Sequence, residues 1–369
     1  MSIPGLWYST DSNKALRIRY WFSVNEILFL RKINYFHLIM ESNELQLEFF
    51  NYLKSTLPAH ISLADELCDL LDISADSAYR RLRGEKSLSF SELKILCEKF
   101  HVSLDQVLNL QNDTVSFRAP DLTANYHSFA DYLTNIMMGV KFFLQYKEKK
   151  MMYLCKDAPL WDFYIFPELA AFKTFFFLRS VRSESQYFEK KFSIKEYPFD
   201  DCFAIGQETL KLFNEIPCEE LWNNESWNST INQVAYYREA GVFKSNDDCE
   251  MVIDSISRSI DHLEKQAAVG QKFMPGDTDL RYRAPIQFYV NDLIIGNNTI
   301  YGEVDGNKIS WVTYSVLNIL VTKEKRFNDH IFSNFNTLKS RSALVSGTNE
   351  RERVKFFNSL REKVNALRK

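Results

Sequence analysis

Arg80, Arg81, Arg83 and Lys86 place four cations within seven residues, opposed only by Glu85, so this short segment carries a local charge of +3. Such a cluster pairs with anions; the plainer alternative is a solvated helix face paired with Asp76 and Glu85. No other grouping offers catalysis. The six histidines, at 37, 60, 101, 127, 262 and 330, form no HExxH and no His/Cys cluster. His101 reads as a loop residue and His262 as an exposed residue of a long helix. The six cysteines, at 68, 97, 155, 202, 218 and 249, contain no CxxC pair, so neither a zinc site nor a disulfide framework is indicated. Reduced, mostly buried thiols fit a cytoplasmic protein. There is no Gly-rich phosphate loop, and neither an enzyme nor a cofactor is expected.

The cations must be positioned by the segments around them. Leu63, Leu67, Leu70 and Leu71 recur at steps of three and four, the spacing of one apolar helix stripe. Asp72 stands where the chain turns, and Asp tolerates the left-handed backbone that a tight turn requires. Ser74 then reads as the N-cap of a second helix. On that helix Ala75, Ala78, Tyr79 and Leu82 are assigned to the inner side, and Asp76, Ser77, Arg80, Arg81 and Arg83 to the outer. Gly84 ends it. Ser89 or Ser91 opens a third helix carrying Leu93, Leu96, Cys97 and Phe100, and Ser103 caps a last short one.

The runs DELCDLLDIS, YRRLRGEK and SELKILCEKFHVSLDQVL resemble the lambda-repressor-like helix-turn-helix domain of Cro and xenobiotic-response-element-type regulators. The resemblance covers about 50 residues. Cys68, Asp72 and Arg81 stand where that family usually has alanine, glycine and an apolar residue. It implies that residues 74–86 enter a DNA major groove, Ser77 and Arg80 reading bases while Arg81, Arg83 and Lys86 hold phosphates. The implied DNA-binding set is Ser74, Asp76, Ser77, Arg80, Arg81, Arg83 and Lys86. The implied partners are double-stranded DNA and a second copy of the chain, since paired half-sites are how such domains gain affinity.

Charge opposes this in bulk and permits it locally. Residues 41–116 hold 7 Lys and Arg against 13 Asp and Glu, a net of −6, whereas DNA-binding domains are normally basic. Charges beyond about 8 Å are screened at physiological salt, so the +3 patch can act by itself.

Hydrophobic residues make up 46 % of the 369, with only 11 Gly and 9 Pro, which predicts packed domains without long flexible linkers. The fold class expected is mainly α: an N-terminal five-helix repressor-like domain over 40–110, a linker over 111–123, and a larger helix-rich α+β region over 124–369. That region is read as dimerising or sensing a small-molecule or protein effector; the alternatives are a helix-turn-helix that binds protein, and an enzyme of unknown reaction in the C-terminal region. Residues 1–39 form an extension of uncertain role, apolar but broken by Arg17, Arg19, Glu26, Arg31 and Lys32, so no membrane span is expected. Met40 is an alternative start.

In the C-terminal region, helices are expected over 126–147, from Pro167, and over 203–215, 226–240 and 247–269, with a buried strand at 151–155. From Arg281 to Thr322 the period becomes two, and Asp305-Gly306 marks a hairpin, predicting a small antiparallel sheet. The aromatics from Trp161 to Phe177 suit a core, a dimer face or a pocket equally in composition. Residues 323–369 hold 12 basic and 5 acidic residues, expected as a closing helix that docks its Phe-rich side and leaves its basic side in water.

Overall fold

The computed structural model describes residues 43–55, 57, 61–102, 104, 115–119, 128–277, 283–292, 295–316 and 318–368. The extension over 1–39 and, Leu104 apart, the helix expected from Ser103 lie outside the described residues. The chain divides into two compact units, Met1–Leu110 and Gln111–Lys369. It is mainly α-helical, with an N-terminal helical unit followed by a larger α+β unit.

In the N-terminal unit α1 spans 43–55, α2 Leu63–Leu71, α3 Ala75–Leu82 and α4 Phe90–Phe100. Serines start the last three. Ser62 accepts from the Asp65 amide, Ser74 from Ser77 and Ser89 from Glu92; each cap of this kind contributes about 1 kcal/mol. Asp72 closes α2 in the left-handed region, at φ 51 and ψ 54. Phe49, Phe50 and Leu53 of α1 meet Leu63, Leu67, Ala78, Leu96 and Val102 in a small common core.

The C-terminal unit runs α5 Phe129–Leu144, β1 Lys149–Cys155, α6 Pro167–Phe176, α7 Asp200–Phe213, β2 Cys218–Trp222, α8 Asn228–Glu239 and α9 Asn246–Val269. Then come β3 Ile286–Val290, β4 Thr299–Val304, β5 Asn307–Thr313, β6 Ile319–Thr322, α10 Lys325–Ser340, β7 Ala343–Leu344 and α11 Glu350–Ala366. The strands make one open sheet of seven in the order β6-β5-β4-β1-β2-β3-β7. The β4–β5 hairpin turns at Asp305 and Gly306, φ 45 and 80, the pair of positive angles a two-residue turn needs. The sheet is larger than the sequence suggests, and mixed. β3 does not join the hairpin; it runs parallel to β2, which in turn runs parallel to β1.

Alternation along β1 splits the unit into layers. Met151, Tyr153 and Cys155 face the main core, built with α5, α6, α7, α9 and α11. Met152 and Leu154 face the other side, where Phe335 of α10 covers them. The Trp161–Phe177 aromatics are core: Trp161, Phe163, Tyr164, Phe172, Phe175 and Phe177 are all buried.

Three further expectations change. His262 is buried rather than exposed, its Nε2 2.8 Å from the Phe273 carbonyl oxygen. The basic side of α11 is partly paired rather than wholly solvated: Arg361 reaches Asp261 and Glu264, and Arg368, just past the helix, reaches Glu250 and Asp254, all on the acidic helix α9, while Arg351 and Lys355 stay exposed. Within the expected linker, Arg118 bridges Val321 of β6, and Thr322 donates to the Ser116 carbonyl at 2.7 Å. All six cysteines are free. Among the described residues no helix is long and apolar enough to cross a membrane, and no group of His, Cys, Asp or Glu could hold a metal ion.

Candidate nucleic-acid interface

The turn from α2 to α3 takes three residues, Asp72 to Ser74, and gives α3 its direction. Ala78 is fully buried, as its small side chain on the inner stripe requires. Arg81 is buried with it, at 3 % exposure, and this corrects the expected facing of the helix. Arg81 Nη2 donates to Glu92 Oε1 of α4 at 2.6 Å, and its Nη1 donates to Ser77 Oγ at 2.6 Å. A guanidinium that has left water retains its charge only with such partners, because an unpaired buried charge is far too unfavourable. Arg81 is therefore a cross-helix tie, not a solvent-facing phosphate ligand.

Glu92 serves two helices. Its Oε2 accepts the Ser89 amide, completing the capping box of α4, while Oε1 takes Arg81. Burial pushes its carboxyl up, but the Ser89 amide and Arg81 together outweigh that and hold it below the usual carboxylate range.

The far end of α3 is pinned as well. Glu85 N–H donates to the Arg80 carbonyl at 2.8 Å and Gly84 N–H to that of Arg81 at 3.0 Å, with Gly84 at φ 73. These are the two bonds of a Schellman ending. Gln46 of α1 then clamps the turn, donating to the carbonyls of Arg81 and Lys86 and accepting the Leu88 amide at 2.8 Å.

With Arg81 inside, the outer side of α3 is Ala75, Asp76, Tyr79, Arg80 and Arg83. Tyr79, expected inside, is half exposed, at 50 %. Ser74 is exposed and its hydroxyl is occupied by the cap; Ser77 is half-buried and its hydroxyl is occupied by Arg81. Lys86 is exposed. Arg83 holds Glu85 at 2.6 Å and Arg80 lies 3.7 Å from the same carboxylate. Exposed pairs of this sort contribute about 0–1 kcal/mol, so a phosphate can displace Glu85 readily. Phe90, the first residue of α4, is 92 % exposed.

Of the seven expected residues, the structure leaves Asp76, Arg80, Arg83 and Lys86 with side chains open to a partner, and commits Ser74, Ser77 and Arg81 to internal bonds. Tyr79 is the exposed residue that sequence reasoning placed inside. The clue was available: an apolar inner position occupied by Arg81, with an acid in the following helix to receive it, rotates the outer stripe onto Tyr79.

A family model described as a BetR domain matches residues 51–127. No curated protein and no solved structure matches the chain. The N-terminal part of the chain thus carries a helix-turn-helix-like regulatory domain similar to the BetR family, ahead of a distinct and larger C-terminal unit.

Proposed function

We propose that the chain is a sequence-specific DNA-binding transcription regulator, not an enzyme, whose repressor-like helix-turn-helix places α3 in the major groove. Arg80 is assigned to base edges, where its planar fork suits guanine O6 and N7. Tyr79 is assigned to apolar contact beside it, and Arg83 and Lys86 to phosphates. The C-terminal unit dimerises or senses a signal, so that two copies of α3 address half-sites about 34 Å apart. The observation that carries this reading is the burial of Arg81 against Glu92, which fixes α3 while Tyr79, Arg80 and Arg83 stay open. A segment of net charge −6 that retains a fixed cationic helix side is better suited to specific than to general affinity.

Selection of bound duplexes from a random pool by the full chain tests it. A recurring motif, lost with Arg80→Ala while the fold persists, supports the reading. No enrichment at low salt by a folded chain rejects it. A second reading, a protein-binding module, draws on the exposed aromatics Tyr79 and Phe90 and predicts that second outcome.

A further inference from the structure

Two lysines lie inside the C-terminal unit, and their surroundings differ. Lys272, 1 % exposed, donates to the Phe213 carbonyl at 2.7 Å and shares the interior with the carboxyls of Asp162 and Glu220. Lys173 of α6 is 2 % exposed and, among the described residues, has no carboxylate within ion-pair distance. Its Nζ donates only to neutral oxygens, Gln233 Oε1 at 2.8 Å and Thr230 Oγ1 at 3.3 Å, both on α8. An ammonium has three N–H groups, so one is left.

The rest of the surroundings are aromatic. Lys173 Nζ lies 4.0 Å from the centre of the Phe163 ring and 5.1 Å from that of Phe177. Trp227 stands edge-on to Phe163, centroids 6.2 Å apart. It is fully buried, and its indole N–H has no hydrogen-bond partner. A cation and an indole with an orphaned donor thus both pack against the Phe163 ring.

Backbone and topology point to the same place. α6 passes at Phe177 into a π-helical turn, Phe177–Val181, closed by the Arg182 amide on the Phe177 carbonyl at 2.8 Å. Such widened turns are rare and concentrate at functional sites. Phe163 lies in the short helical turn Leu160–Tyr164 that follows the carboxyl end of β1. In open α/β sheets ligands bind beyond the carboxyl ends of parallel strands, and β1 and β2 run parallel here.

We propose that Lys173 and Trp227 form the polar end of a binding site for a small monocarboxylate with an apolar body. The carboxylate accepts from Nζ and from the indole N–H, and the body packs against Phe163 and Phe177. One cation sets the limit of one negative charge, since a second would be buried without compensation. The half-buried Gln233 marks the side on which the ammonium approaches solvent. Burial draws Lys173 down to about 7, with the more distant Asp157 carboxylate only partly opposing it, and a bound carboxylate restores its charge. The site stands independently of the DNA-binding reading.

Calorimetric titration and thermal unfolding of the full chain with benzoate and isovalerate, against benzamide and benzylamine, test the proposal. The acids are expected to bind and raise Tm, and the neutral and cationic compounds are not. Lys173→Met is expected to unfold cooperatively yet lose the acid by about tenfold to a hundredfold, the loss of one charge-assisted bond. Trp227→Phe weakens binding less. Failure of both acids to bind the folded wild-type chain overturns the proposal, as does equal binding to Lys173→Met. If Lys173→Met fails to fold, Trp227→Phe and the amide comparison decide the matter alone.

Discussion

Arg81 and Glu92 join α3 to α4 through a 2.6 Å contact that is almost closed to water on the arginine side, with 4 % of that side chain exposed. This places Arg81 and its neighbour Arg80 in opposite roles. Arg81→Ala leaves Glu92 without its cation and opens a space beside Ala78, so the N-terminal unit should lose about 3 kcal/mol, as for other broken buried pairs. Arg80→Ala removes an exposed side chain and should change stability by less than about 0.5 kcal/mol. Urea unfolding of the two variants followed by α-helix circular dichroism separates them. Equal effects would contradict the assigned facing.

The same pair makes the N-terminal unit acid-sensitive. The folded chain holds the Glu92 carboxyl below its ordinary value, so the unfolded chain binds the proton more readily. The stabilisation is complete above the unfolded carboxylate range, near neutral pH, and disappears as pH falls through the depressed folded value. Amide hydrogen exchange in α3 and α4, corrected for intrinsic rates, should show protection falling from pH 6 toward pH 3. Glu92→Gln should be less protected at pH 6 and flatter across the range.

The outer stripe of α3 should divide into specificity and affinity. Arg80→Ala is expected to cost about 1–3 kcal/mol on a selected duplex and to relax preference at one base position. Lys86→Ala should weaken all sequences alike and lower the salt slope by about one. Tyr79→Ala should lose affinity without altering that slope. Filter binding across a salt series reads all three, and an Arg80→Ala loss that is uniform over sequences would assign Arg80 to phosphate instead.

What the sequence makes legible is local. Serine caps at 62, 74 and 89, the left-handed Asp72 and the Asp305-Gly306 hairpin follow from side-chain chemistry within a few residues. What it conceals depends on distant partners. An eight-residue helix does not fix its own rotation, and Arg81 turns inward only because Glu92, eleven residues on, receives it. The strand Cys218–Trp222 hides behind Glu219 and Glu220: the first is bound by Lys150 and Lys339, and the second accepts the Trp222 indole N–H at 2.8 Å. Likewise Arg361 of α11 looks like part of a solvated face until the acids of α9 are brought against it.

Lys272 and Lys173 should answer the same substitution in opposite ways. In Lys272→Met the carboxyls of Asp162 and Glu220 remain buried without their cation, and burial already pushes both upward. The C-terminal unit should lose about 3–5 kcal/mol at pH 7. Because these acids titrate higher in the folded chain, they are favoured there while protonated. The variant's deficit should therefore grow as pH rises from the ordinary carboxylate range through the folded values, and shrink toward pH 5. Adding Glu220→Gln, which keeps an acceptor for Trp222, should restore part of the loss. Lys173→Met removes a buried cation that, among the described residues, has no carboxylate within ion-pair distance, so Tm should hold or rise. Thermal unfolding at pH 5 and pH 8 compares the variants, and a parallel loss in both would mean that the charge of Lys173 is needed inside the folded chain.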